Sequence, residues 1–180
     1  MTLTLYGGPR TRASMPRWYM EEKGIDYRLV ELDLQAQEQR QPEFLAINPF
    51  GKLPALVDTT VQGADGQPLT LFESGAILLH LADCHSDDIT TAAERALTSQ
   101  WLLFANATLA IALFVPSNRE RDFPRLMGVL NEQLDPERPL RHRHTVFSLG
   151  SEPAHFQLPG VREASSPARA SDPWWAQWTG

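Results

Sequence analysis

Leu3 and Leu5 alternate with polar neighbours in a run that ends at Tyr6, which predicts a short first strand. Gly7, Gly8 and Pro9 break it, and Arg10-Thr11-Arg12-Ala13-Ser14 makes a polar turn before a helix carrying Met15, Trp18, Tyr19 and Met20. Pro16 fits only the first turn of that helix, and Gly24 stops it as a C-terminal cap does. Residues 25–34 alternate again through Tyr27, Leu29, Val30, Leu32 and Leu34, giving a second strand. Pro42 opens a short helix that reaches Ile47. Residues 55–58 and 69–72 read as two strands joined by a turn containing Asp65-Gly66, an antiparallel hairpin. From Ser74 to Cys84 a helix follows, with Ile77, Leu78 and Leu81 on one side.

The order is β-α-β-α-β-β-α over the first 84 residues, with Pro54 standing before the third strand. That order predicts an α/β thioredoxin-like layer of sheet and helices over residues 1–85. Beyond it the pattern becomes wholly helical. Leu97, Trp101, Leu102, Phe104, Ala105, Leu109, Ala112 and Leu113 recur at helical spacing within 92–115, and Phe123, Leu126, Val129, Leu130 and Leu134 do so within 122–134. An all-α second domain over 92–134 is expected, with linkers at 86–91 and 116–121. After Leu134 no period survives beyond a few residues. Six of the fourteen prolines fall in that last stretch, so 135–180 is expected to be irregular or poorly ordered.

Composition narrows the class. Apolar residues make up 42% and charged residues 21% of 180, as in a soluble globular protein. A net charge of −6 argues against a non-specific nucleic-acid binder, which needs a basic face. No uninterrupted apolar run of about 18 residues occurs, so no membrane span is expected. The N-terminus lacks the regions of a signal peptide, and a single cysteine, Cys84, rules out an internal disulfide; both fit a cytoplasmic setting.

Two short segments carry candidate chemistry. In Asn48-Pro49-Phe50-Gly51-Lys52-Leu53-Pro54, the second proline leads into the third strand, and proline is confined to a strand's first residue or edge. A cis bond at Leu53-Pro54 would leave the Leu53 backbone open to a peptide-like ligand, paired as an added strand pairs. About twenty residues on, Glu73-Ser74 opens a helix. Ser74 suits an N-cap, and the exposed N–H groups with the helix dipole favour an anion there.

With the N-terminal Leu-Tyr-x-x-Pro turn and Phe72-Glu73-Ser74-Gly75-Ala76-Ile77, these segments resemble the cytosolic glutathione transferases, most nearly bacterial classes such as chi. The resemblance covers roughly residues 1–134. It implies glutathione as co-substrate, small electrophilic apolar acceptors, a detoxifying role and a homodimer. It also implies that Glu73 and Ser74 bind the γ-glutamyl end, that Leu53 and Pro54 hold the cysteinyl part, and that Lys52 or Arg40 meets the glycyl carboxylate. Trp101 and Phe114 would border the acceptor pocket. A non-catalytic binding or scaffold protein on the same fold is the alternative.

Transfer needs a thiolate, and a thiol with a pKa of about 8.5 is only a few per cent ionised near neutrality. Arg12, Thr11, Ser14 and Arg10 compete for the stabilising role at the first turn of the first helix: the arginines by charge, the hydroxyls as donors. No cysteine precedes Cys84, so the site forms no mixed disulfide with glutathione, which argues against thiol-transferase chemistry. Cys84 is expected to be a buried apolar thiol. His80 and His85 are five apart, off a common helix face and without a further ligand in view, so no metal is expected. The basic cluster 141–144 reads as solvated.

The family's second domain normally continues into a buried helix with a Ser/Thr-x-x-Asp cap. No such box or apolar helix follows Leu134, so the helical domain is incomplete relative to the family and its apolar faces are expected to be partly exposed. Out-of-frame translation after about residue 135 and a divergent tail covering the core with Trp174, Trp175 and Trp178 are both open explanations.

Overall fold

The computed structural model describes residues 2–8 and 10–133. The expectations for Leu134 and for 135–180, including the three tail tryptophans, lie outside the described residues.

Strand β1 (Leu3–Gly7) buries Leu3 and Leu5 on one face, and its neighbour Tyr6 meets Phe44 on the other, ring centroids 5.6 Å apart. The period of two in the sequence thus decides which side of the sheet each residue faces. Helix α1 (Ser14–Lys23) ends at Gly24, whose φ of +63° is the left-handed conformation that favours glycine, and whose N–H bonds back to Glu21 at 3.3 Å. It returns the chain to β2 (Tyr27–Glu31), parallel to β1. This strand is shorter than the alternation over 25–34 predicts. Beyond it, Asp33 takes the N–H groups of Gln35 and Ala36 on its side chain and turns the chain.

A 3-10 turn (Glu38–Arg40) and α2 (Pro42–Leu45) then cross the sheet, with Phe44 buried. Strands β3 (Ala55–Gln62) and β4 (Pro68–Phe72) form the expected antiparallel hairpin, and the sheet order is β2-β1-β3-β4. Helix α3 (Ser74–Cys84) packs with α1 on the face of Leu3, Leu5 and Leu56. Ile77, Leu78, Leu81, Tyr19 and Met20 complete that core. The α/β thioredoxin-like layer is as the element order predicts.

Helix α4 (Ala92–Leu103) starts with a capping box. The Thr91 hydroxyl accepts from Glu94 N–H at 3.2 Å, and Glu94 Oε2 accepts from Thr91 N–H at 2.9 Å. The helix continues through a π-helical stretch (Phe104–Leu109) into α5 (Ala110–Phe114). Where the sequence reads a linker at 116–121, Pro116 opens a further short helix, α6 (Pro116–Arg119), because proline at a first helical position loses no bond. Amphipathic α7 (Phe123–Gln133) closes the described chain.

The continuous stretch Ala92–Phe114 is long and apolar enough to cross a membrane by length and composition. Length and composition alone do not overturn the expectation of no membrane span. After Arg95 the stretch contains no charged residue, and Thr98, Ser99, Gln100, Asn106 and Thr108 are the polar residues that interrupt the apolar run. In this structure it packs against α3, burying Leu102 among the core residues.

Candidate functional site

The loop before β3 is built by Asn48. Its fully buried side chain donates to the Lys52 carbonyl at 2.8 Å and accepts the Phe50 N–H at 3.1 Å. Gly51 within it has φ +58°, and a Cβ there would stand 2.8 Å from the Gln39 carbonyl oxygen, so only glycine fits. The loop leaves through a cis Leu53-Pro54 bond into Ala55 of β3.

This loop forms one wall of a cleft of about 350 Å³, lined on that side by Asn48, Phe50, Lys52, Leu53 and Pro54. Phe72, Glu73, Ser74 and Arg12 complete the lining. The volume suits a small ligand. Phe50 and Phe72 stand edge to face across it, centroids 5.3 Å apart, and remain 61% and 38% exposed.

Glu73 holds φ +72°, rare for a side chain that large, and its carbonyl accepts the Ile77 N–H at 3.0 Å. Glu73 is therefore the N-cap position of α3, and Ser74, expected there, is the first residue inside the helix. The buried Ser74 hydroxyl bonds Asn106 Oδ1 at 3.1 Å, across to the π-helical stretch. No side chain caps the first turn of α3, which begins beside the cleft-lining Glu73 and Ser74.

The four residues competing at the first turn of α1 separate. Thr11 donates its hydroxyl to the Gly8 carbonyl at 2.8 Å, and Ser14 donates to the Thr11 carbonyl at 3.2 Å, so both donors are used locally. Arg10 is exposed at φ +59° and does not line the cleft. Arg12 does, its guanidinium bonding Asn106 Oδ1. Asn106 in turn donates to the Leu102 carbonyl at 2.9 Å. Sequence reasoning passed over Asn106; an amide inside an otherwise apolar helix was the available signal.

Other predicted site residues stand apart. Arg40 is exposed and lies against Gly51 outside the cleft lining. Trp101 packs edge to face with Phe104, and Phe114 is 68% exposed; neither lines the cleft. The period that placed them on the helix cannot say which face meets the first domain. Cys84 is exposed rather than buried, because it falls on the outer side of the last turn of α3. Partial desolvation and the nearby Asp83 and Asp58 carboxylates raise its thiol pKa. The histidine pair also has the third partner that the sequence did not reveal: His80 and His85 both meet buried Asp58.

The thioredoxin-like domain thus brings a cis proline at a strand start and the first residues of a helix to one small cleft. Residues 1–83 match the family described as glutathione S-transferase, N-terminal domain. The chain is 43% identical over 103 residues to the Escherichia coli disulfide-bond oxidoreductase YfcG, covering 57% of this chain and 47% of that protein. It is 37% identical over 95 residues to the Saccharomyces cerevisiae transcriptional regulator URE2, covering 47% of this chain and 25% of that protein. A crystal structure of a Burkholderia graminis glutathione transferase, with two glutathione molecules bound per subunit, superposes with a TM-score of 0.58. It is 32% identical, covering 73% of this chain and 62% of that one. Residues 1–83 thus match the glutathione S-transferase N-terminal domain, and over a longer stretch the chain is similar in fold to glutathione transferases. It spans about half the length of the first of these relatives or less, and none of the three is named as a chi-class protein.

Proposed function

We propose that the cleft binds glutathione and that the protein transfers its thiolate to small electrophilic, apolar acceptors. The observation that carries this reading is that Arg12, Lys52, Leu53, Pro54, Glu73 and Ser74, from three separate segments, all line one cleft. The first turn of α3 takes the γ-glutamyl carboxylate and Glu73 its ammonium. The Leu53 backbone pairs with the cysteinyl residue as a strand edge would, and Lys52 meets the glycyl carboxylate by a charge-assisted bond.

Arg12 stands as the thiolate-stabilising group, since the hydroxyls of Thr11 and Ser14 are spent on backbone carbonyls. Its partner Asn106 is neutral, and among the described residues no carboxylate pairs with it. The positive charge is therefore available to lower the thiol pKa. In the reaction the glutathione sulfur forms a bond to the electrophilic carbon, and the leaving group departs with the bonding pair. A cytoplasmic setting and a homodimer belong to the same reading, the latter tested by light scattering of the purified chain.

Arg12→Gln is expected to lower turnover of an aromatic halide by about tenfold or more, with KM for glutathione changing less. It should also raise the pH at which the bound thiol ionises. Unchanged turnover would overturn the role of Arg12, and failure of the parent to be retained on immobilised glutathione would overturn the reading itself. The second reading is a glutathione-binding protein without transfer activity. It is favoured by the absence of an uncommitted hydroxyl at the α1 turn and by the relative named as a transcriptional regulator. Retention without turnover would support it.

A further inference from the structure

At the opposite end of α3 from the cleft, three side chains with metal-ligand chemistry meet. Asp58 lies four residues along β3 from Pro54, about 13 Å at roughly 3.3 Å per residue. Its Oδ2 stands 2.8 Å from His80 Nε2 and 2.7 Å from His85 Nε2. The three donor atoms fall within 4.8 Å of one another. The carboxylate is fully buried, whereas the imidazole side chains keep 10% and 16% exposure, so the group opens to the surface on its histidine side.

The carboxylate is held in place from behind. Its Oδ1 accepts the Thr60 N–H at 2.8 Å and the Thr60 hydroxyl at 2.6 Å, which leaves Oδ2 aimed between the rings. Metal-binding carboxylates are oriented by an outer layer of hydrogen bonds in this manner. The rings are inclined at 71° with centroids 5.4 Å apart, so they converge on one oxygen without stacking. Helical spacing alone would not bring side chains five apart together. His85 joins because it is the C-cap, at φ −126° and ψ 5°, where the chain leaves the helix. Burial opposes ionisation of Asp58, yet the bonds from Thr60, His80 and His85 outweigh it and hold the carboxyl well below the usual carboxylate range.

We propose that Asp58, His80 and His85 form a binding site for one divalent transition-metal ion of the zinc type. Two imidazole nitrogens select zinc, cobalt or nickel over calcium and magnesium, which take oxygen ligands. Each imidazole would offer its Nε2 lone pair and carry its proton on Nδ1. Bringing the two Oδ2–Nε2 contacts and the Nε2–Nε2 separation, all within 4.8 Å, to about 3.3 Å, the edge of a tetrahedron with bonds of about 2.0–2.1 Å, accommodates the ion between the three donors. Three protein ligands leave a fourth position for water. The ion would fasten the end of α3 to β3, and the site stands independently of the glutathione reading.

The test titrates the chelator-stripped full chain with Zn²⁺ by calorimetry and with Co²⁺ by visible absorption. One ion per chain and an intense tetrahedral cobalt band are expected. Binding should weaken by about tenfold or more in His80→Gln and in His85→Gln. Cys84→Ser and a triple variant of the tail histidines, His142→Ala, His144→Ala and His155→Ala, should bind as the parent does. If a glutamine variant fails to fold, X-ray absorption at the zinc edge of the tail-histidine variant decides: two imidazole nitrogens without sulfur support the site. No saturable binding, equal affinity in the glutamine variants, or dependence on Cys84 or the tail histidines overturns it.

Discussion

Asn48 and Arg12 carry the site at the scale of single residues, and they do so in different ways. Asn48 is a buried amide whose two ends each satisfy a backbone group of the loop that presents Lys52 and Leu53. Asn48→Ala removes both bonds and strands those groups, so a loss of about 1–3 kcal/mol is expected in urea unfolding, together with weaker retention on glutathione. Arg12 was one of four residues the sequence could not separate. The separation came from bonds to backbone carbonyls by Thr11 and Ser14, which depend on how the turn closes and leave no trace in residue type. The motif residues Lys52, Leu53, Pro54, Glu73 and Ser74 were legible because their spacing is local.

At the scale of elements, caps and periods account for most boundaries. Gly24 ends α1 and Pro42 opens α2 as their types dictate. The box Thr91-x-x-Glu94 starts α4, and Glu94 accepts bonds from the N–H and hydroxyl of Thr90 as well. The Thr90 and Thr91 bonds hold the Glu94 carboxyl down to about 2 from its ordinary 4.5. A depressed folded-state pKa contributes stability that is fully present above the ordinary value and is lost as pH falls toward the folded one. Glu94→Gln should therefore lower the melting temperature at neutral pH, and the gap to the parent should narrow on acidifying from about 4.5 to about 2. A gap independent of pH would exclude an ionised cap. The shortened β2 and the added α6 show the limit of pattern reading, since a side-chain turn and a proline-opened helix each outcompete a simple alternation or linker.

For the whole molecule, the joint between the sheet domain and the following helices runs through Asn106. Its Oδ1 receives both Arg12 and Ser74, while its amide holds the Leu102 carbonyl. A Cβ on Gly75 would stand 2.6 Å from Asn106 Nδ2, so the close approach of α3 to this amide requires glycine. A double-mutant cycle of Arg12→Gln and Asn106→Ala, read as glutathione affinity, should give a coupling of about 0.5–3 kcal/mol; additive effects would mean that the two act separately. The helical part also leaves Leu103, Ile111, Phe114 and Val129 at least half exposed, in line with the expectation of uncovered apolar faces.

The sequence by itself determined the order of elements, the strand faces, the turn and cap residues and the local motifs of the cleft. All of these follow from periods of 2 and 3.6 or from residues within a few positions of each other. Tertiary structure alone decided that Arg12, and not Arg10, Thr11 or Ser14, lines the cleft, and that Trp101 and Phe114 stand outside it. It also decided that Asp58 completes a group with His80 and His85. The Thr11 and Ser14 bonds depend on how a local turn closes, whereas the Arg12–Asn106 and Asp58–histidine contacts join side chains 22 to 94 positions apart, which only packing of the sheet against the helices brings together.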